Sequence, residues 1–338
     1  MKFVASVSAP HPLRRGVLPV PAGMDAAVVD IDGQPIKLTH LEKIYFPDSG
    51  YRKRDLLDFY RDVADFLVPH LRGRPYSMLR YPNGIAGQSF FQKNAGARLP
   101  EWVNSAEILS DNERGRIRFV LCDNAATLLY LVNLGCIDHH VWMSRAATPQ
   151  QPDFVLLDLD PGPRAGFARV LEVARAIRAV LERFEIRACL KTSGATGLHI
   201  LIPLGPGHTY RQSADFAALI MRCAAERVPG LVTEIWPVRR RPPDRVYLDF
   251  RQNAYGKTLP PPYAVRPRAG APVSTPLAWR ELTPRLDPAV FTLRTLGRRL
   301  DRYGDLMSDI LPGRAPQSLA RLLARMESVQ DLSPQKSA

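Results

Sequence analysis

In DLLDFYRDVADFLVPHL, apolar residues at 56, 57, 60, 63, 64 and 67 recur with the helical period. Residues 55–71 therefore read as an amphipathic helix that Pro69 ends. Residues 123–134 read as a second helix: Asp123 or Asn124 caps it, LLYLV is buried, and Gly135 stops it. Gly166 to Phe184 carries a clean apolar stripe at 167, 170, 171, 174, 177, 181 and 184. Arg169, Arg175, Arg178 and Arg183 take its other face. A further helix spans roughly 212–227, and helical segments near 288–300 and 315–328 close the chain.

Between these helices the pattern turns to strands. Residues 26–38 form a small hairpin with Asp32-Gly33 at its turn. CIDHHVW is a short strand, and FVLLDLDPG (Phe154 to Gly162) is a buried one that ends in two acids. RACLKTSGATGLHILIP reads as strand, Gly-rich turn, strand. After the basic loop RRRPPDR comes RVYLDF, a strand with Asp249 near its end. The proline-rich LPPPYAVRPRAGAPVSTP reads as extended surface chain. No internal repeat is evident. Strands mixed with helices predict α/β or α+β layers.

Composition keeps the chain among globular proteins: 338 residues, 46% hydrophobic and 23% charged. No run approaches the about 18 apolar residues of a membrane span. MKFVASVSAPHPLRRG has no continuous apolar core with a small-residue cleavage site, so it reads as a short loose leader. Cys122, Cys136, Cys189 and Cys223 are scattered without C-x-x-C spacing, which suits free thiols in a reducing compartment. A formal net charge of +13 favours polyanionic partners, most simply nucleic acid.

The chemistry gathers around three stretches. Asp158 and Asp160 share one face of a strand, with Cα atoms about 6.5 Å apart. Carboxylates that close repel unless a cation sits between them, and hard divalent cations take such oxygens. The plain alternative is a solvated strand end followed by a Pro-Gly turn. Asp249, on another apolar strand, offers a third acid. Three carboxylates on adjacent strand ends can hold two Mg²⁺ or Mn²⁺ ions about 4 Å apart.

SGATGLH (Ser193 to His199) has glycines that let a backbone approach a phosphate, with a hydroxyl and an imidazole beside them. It is not a Walker loop, and in isolation an ordinary hairpin with a glycine turn is the better reading. FFQKN (Phe90 to Asn94) pairs aromatics with a lysine, as base stacking and phosphate attraction require. Adjacent strand residues point opposite ways, so one phenylalanine is expected in the core. Arg266 and Arg268, in AVRPR, could clamp a triphosphate or simply be solvated. Lys43 and Lys53 flank IYFPDSGYRK and are unremarkable alone.

Together, LDLDP, SGATGLHI and LDFRQNAYGKT resemble, in order, the three motifs of the archaeo-eukaryotic primase superfamily. Within it, LTHLEKIYFP, SFFQKN, DHHVWMSR and YAVRPRAGAPVSTPLAW resemble the polymerase domain of bacterial ligase D, the non-homologous end-joining enzyme. The resemblance covers about residues 28 to 305. It implies a primase-like α/β (α+β) fold of central, mostly antiparallel sheets flanked by helices. Residues 1–27 would be a leader, 28–305 the catalytic domain, and 306–338 a helical segment with a flexible tail, disordered over its last ten residues.

Residue roles follow from the same resemblance. Asp158, Asp160 and Asp249 match the metal-holding catalytic acids, for two divalent cations, Mn²⁺ or Mg²⁺. His140, Ser193, Gly197, His199, Gln252, Lys257 and Arg266 match the nucleotide pocket. Lys43 and Lys53 match lysines that grip the 5′-phosphate across a gap. Phe90 and Phe91 match aromatics that stack on DNA, and Arg80 is placed with them.

The implied activity is template-directed addition of NTPs or dNTPs, ribonucleotides preferred, to DNA 3′ ends at gaps and breaks. Ku and a separate DNA ligase are implied partners, and the bacterial cytoplasm and its nucleoid the implied location. Two departures stand out. No K-x-D-G nucleotidylation motif occurs, so a stand-alone homologue or an excised domain is expected and no ligase activity is assigned. His40 stands where the family often has asparagine. Rival readings are a primer-independent primase, a non-catalytic DNA-end adaptor and a two-metal nuclease.

Overall fold

A computed structural model describes residues 18–96, 98–110 and 115–331. The expected leader up to residue 17 and the end of the expected disordered tail lie outside the described residues.

The first sheet runs Val232–Thr233, Val246–Asp249, Phe154–Pro161, Leu198–Pro203, Cys189–Thr192, Pro276–Leu277. Its pairings are antiparallel except the one between Val232–Thr233 and Val246–Asp249. The Phe154–Pro161 strand explains its own apolar run. Val155, Leu157 and Leu159 pack with Val170, Ile177 and Ile220 of the covering helices Gly166–Arg183 and Tyr210–Ala225. Phe154 and Leu156 point to the other face, into a smaller core with Met143, Leu201 and Leu259. Both faces are covered, so both are apolar. On that second face the series then continues into Asp158 and Asp160.

The second sheet is antiparallel throughout: Thr258–Leu259, Cys136–Trp142, Pro75–Arg80, Gly115–Leu121, Ser105–Ser110, with Phe90–Gln92 also paired to Pro75–Arg80. Helices Lys53–Leu71 and Ala125–Asn133 cover it through Tyr60, Val63, Leu67, Leu128 and Val132. Three of its strands, Pro75–Arg80, Ser105–Ser110 and Gly115–Leu121, do not follow from the periodicity described above. Gly115–Leu121 does carry a local signal, since buried Ile117 and Phe119 alternate with exposed Arg116 and Arg118.

The helices differ in detail from expectation. Lys53–Leu71 runs two residues past Pro69, because a proline in the last turn removes only a bond near the end. Asn124, not Asp123, caps the second helix by accepting from Thr127 N at 2.8 Å. Asp123 instead accepts from Gly73 N. The C-terminal helices are Leu296–Tyr303 and Leu319–Asp331, and the latter seats Leu319, Leu322 and Met326 in the core of the first sheet.

The proline-rich stretch is not surface chain. Tyr263, Ala264, Val265, Ala271, Val273, Ser274 and Thr275 are all buried. The segment doubles back on itself: Tyr263 N donates to Ser274 O, Ser274 N to Ala264 O, and Arg266 N to Pro272 O. These internal bonds satisfy its backbone, and that permits burial. The turn carries Arg266 to the mouth of the cleft between the two sheets.

Candidate active site

The register of the first sheet sets Asp249 opposite Asp158, Asp158 opposite His199, and His199 opposite Lys191. Cross-strand partners share a face. Four strands therefore present Asp249, Asp158, His199 and Lys191 in one row, with Asp160 two residues beyond Asp158. Asn253 locks the strands together: its side chain accepts from Leu156 N and donates to Leu156 O, both at 2.8 Å.

The acids disturb one another. Burial, then the charges of Asp160 and Asp249, push the Asp158 carboxyl well above its ordinary value, against the pull of Lys191 and Arg266. Burial and Asp249 raise Asp160 as well, opposed by Arg241. Asp158 Oδ1 is buried with no hydrogen-bond partner, although His199 Nε2 lies 3.3 Å away. Asp249 Oδ1 accepts from Arg251 N at 3.1 Å and from the Tyr247 hydroxyl at 3.4 Å. Crowded carboxylates with an orphaned buried oxygen fit hard divalent cations in charge and ligand type. Among the described residues, no three Asp, Glu, His or Cys side chains already converge on one metal position. The match is one of charge and placement, not a closed cage.

A cavity of about 290 Å³ opens between the sheets above this row. His140, Asp158, Asp160, Ser193, His199, Gln252, Arg266 and Arg268 line it. Ser193 organises the glycine loop: its Oγ accepts from Ala195 N and Gly197 N, each at 3.1 Å. Gly194 has φ +73°, and a Cβ there would meet Ser274 N at 2.8 Å. A Cβ on Gly197 would lie 2.2 Å from Leu159 O, so that glycine serves strand packing. Arg266 donates to Ser193 O at 3.2 Å and to Asp138 Oδ2 at 3.3 Å, and His140 Nε2 lies 3.2 Å from the same Asp138 oxygen. Burial raises the Asp138 carboxyl, but His140, Arg266 and His139 outweigh it and hold the group below its ordinary value.

The expected DNA-facing residues gather on the second sheet and its neighbours. Arg80 donates to Leu134 O and Gln92 Oε1, and its guanidinium lies over the Phe90 ring at 5.0 Å. Phe90 and Phe91 are both 47% exposed, so neither is core. Their strand is three residues long, and outward packing on Arg80 and His140 replaces burial. Lys43 Nζ donates to Pro82 O and Asn83 Oδ1. Lys53 is buried and donates to Thr39 O at 2.6 Å. Burial first, then repulsion from Lys43, lowers the Lys53 ammonium to about 8. His40 has φ 55°, a left-handed conformation that asparagine tolerates better than most residues.

A model of the family described as "LigD, primase-polymerase domain" matches residues 52–307. The chain belongs to that family. As a LigD primase-polymerase relative, it is 31% identical over 293 residues to the bifunctional non-homologous end joining protein LigD of Bacillus subtilis. That alignment covers 86% of this chain and 47% of the relative. The multifunctional LigD of Pseudomonas aeruginosa is 33% identical over 293 residues, covering 86% of this chain and 34% of the relative. The chain thus spans half or less of these relatives' length. Among solved structures, the polymerase domain of Mycobacterium tuberculosis ligase D in complex with DNA matches with a TM-score of 0.75 and 30% identity. The match covers 83% of this chain and 99% of that one.

Of the residues matched to LigD motifs, most of the nucleotide set meets at one cavity. Lys257 is exposed and lies off the lining, where its neighbour Thr258 stands instead. Gly197 and Asp249 are beside the cavity without lining it. The structure adds Asp138, Lys191 and Asn253. Asp138 was accessible in principle, because D-x-H in a strand puts both side chains on one face. A buried lysine and a buried asparagine carry no such local signal.

Proposed function

We propose that this chain is a template-directed nucleotidyltransferase that adds nucleotides, ribonucleotides preferred, to DNA 3′ ends at gaps and double-strand breaks. The observation that carries the reading is the facing pair Asp158 and Asp249, with Asp160 beside it, below a cleft that presents Ser193, His199 and Arg266. Asp158, Asp160 and Asp249 would hold two Mn²⁺ or Mg²⁺ ions, which when bound lower the pKa of the primer hydroxyl and neutralise the pyrophosphate leaving group.

The chain's own groups supply placement. The Arg266 fork is fixed by Ser193 O and Asp138, so it meets a triphosphate already oriented. His199, the Ser193 loop, His140 and Gln252 line the same cavity. Lys257 lies off the cavity lining and is kept in the nucleotide set on the sequence resemblance alone. On the DNA side, Phe90 and Phe91 offer exposed rings for stacking beside Arg80. Lys43 and Lys53 would hold the 5′-phosphate across a gap, on the sequence resemblance; in this structure Lys43 donates to Pro82 O and Asn83 Oδ1 and Lys53 to Thr39 O.

The relatives are named for non-homologous end joining, and the matching polymerase domain was solved with DNA. Both support a role in end joining. The bacterial cytoplasm and nucleoid, with Ku and a separate ligase as partners, are carried into this reading by the sequence resemblance alone. Primer extension on gapped DNA with Mn²⁺ tests the reading. The expected product is one or a few added nucleotides, more from NTPs than dNTPs, and more on 5′-phosphorylated gaps. Full extension by the Asp158→Ala, Asp160→Ala double variant would overturn it.

A further inference from the structure

Lys191 is a fully buried amine that the proposed chemistry does not use. Its Nζ donates to Ser274 Oγ at 2.6 Å and lies 2.9 Å from His199 Nδ1. Ser274 spends its own hydroxyl hydrogen on Thr192 O at 3.0 Å, leaving lone pairs for the amine. Ser274 is pinned by backbone bonds to the turn that carries Arg266. Lys191 therefore stands at a junction between the acid row, the glycine loop and the arginine turn.

We infer that Lys191 is a positioning residue that fixes His199 in the tautomer protonated on Nε2, so that the ring presents an N–H donor to the triphosphate. The inference rests on the proposed phosphate role of His199. A neutral imidazole carries one ring hydrogen, and the bond made by one nitrogen decides where it sits. The geometry sets the two nitrogens apart: Nδ1 faces the Lys191 amine and Nε2 faces Asp158. Burial and Arg266 push the Lys191 ammonium well down, against Asp158. Charged or neutral, the amine has hydrogens enough for both Ser274 Oγ and His199 Nδ1. With Nδ1 accepting, the hydrogen sits on Nε2, the nitrogen 3.3 Å from Asp158 Oδ1. The opposite tautomer would aim a lone pair at a carboxylate and at phosphate oxygens alike.

The first test uses the unmodified protein. Histidine-selective ¹⁵N NMR, with the His199 signals assigned by their loss in His199→Gln, should show Nδ1 as an acceptor and Nε2 protonated. A protonated Nδ1 in a neutral ring overturns the inference. The second test is Lys191→Met, which keeps length and apolar bulk but removes the donor. It should raise the dissociation constant for a non-hydrolysable nucleotide about tenfold, the size of one lost bond to a charged group. The Nδ1–H tautomer should appear at the same time.

Glutamine at 199 presents its N–H₂ without any tautomer to choose. In a His199→Gln background, Lys191→Met should therefore weaken binding by less than about twofold. A full tenfold loss in that background would mean that Lys191 acts by charge or packing, and would reject the positioning role. Unchanged nucleotide binding by His199→Ala would instead remove the phosphate role of His199. The NMR measurement would still decide whether Lys191 sets the tautomer.

Discussion

Asp158 and Asp249 stand directly opposite each other on neighbouring antiparallel strands, and His199 faces Asp158 from the other side. One register fixes all three. A slip of one residue would turn Asp249 to the helix-covered face, because strand side chains alternate.

The crowding predicts a trade between stability and activity. Asp158 and Asp160 both have raised values, so their ionisation weakens the metal-free fold as pH climbs through and above the carboxylate range. The Asp158→Asn, Asp160→Asn variant should melt a few degrees higher than the metal-free parent at neutral pH. Its extension rate should drop by about a thousandfold, some 4 kcal/mol. Mn²⁺ should raise the parent's melting temperature and leave the variant's unchanged. Scanning calorimetry with and without Mn²⁺ reads the melting shifts and primer extension reads the rate; a variant less stable than the parent would count against the repulsion.

If Lys53 grips the 5′-phosphate as proposed, that recognition should be sensitive to alkali. The Lys53 ammonium is lowered to about 8, so it loses charge as pH rises through that value, well below an ordinary lysine. The preference for phosphorylated over unphosphorylated gaps should fade between about pH 7 and 9. Lys53→Met should abolish the preference at every pH. A preference that stays constant to pH 9.5 would show that Lys53 is not the gripping group.

Phe90 and Phe91 separate binding from folding. Both are half-exposed, so alanine at either should change stability by less than about 0.5 kcal/mol. DNA affinity should fall by about 1–3 kcal/mol for each ring that stacks a base. Fluorescence anisotropy with gapped DNA, beside a urea melt, distinguishes this from a structural role. Phe91 also meets His140 edge-on at 6.1 Å, so its loss should raise the KM for nucleotide as well.

Asn253 should behave in the opposite way. Its amide closes two bonds to the Leu156 backbone, and Asn253→Ala leaves both groups unpaired in the core. The cost is about 1–3 kcal/mol for each, roughly 2–6 in total. Because that bond pair holds the strands bearing Asp158 and Asp249 in register, kcat should fall even where the variant remains fully folded. Chemical denaturation and steady-state kinetics on one preparation test both.

The helices were legible because their stripes are local. Gly166–Arg183 follows from spacing alone, and so does the body of Lys53–Leu71. The proline-rich turn misled: its prolines read as solvent-facing, whereas internal backbone bonds let it bury Tyr263 and Val265. The paired phenylalanines misled for a related reason, since alternation assumes a long strand with a covered face, and theirs is three residues long at an exposed site.

The sequence by itself determined the parts: three acids at apolar strand ends, a glycine loop with Ser193 and His199, and a family resemblance spanning most of the chain. Those are matters of residue type and short spacing, which periodicity and motif order expose. Only the tertiary structure decided that Asp249 meets Asp158, that Arg266 arrives on a buried turn, and that Lys191 lies behind His199. Such contacts join residues up to about a hundred positions apart. They depend on register, on helices packed over a sheet, and on buried hydrogen bonds that no local pattern encodes.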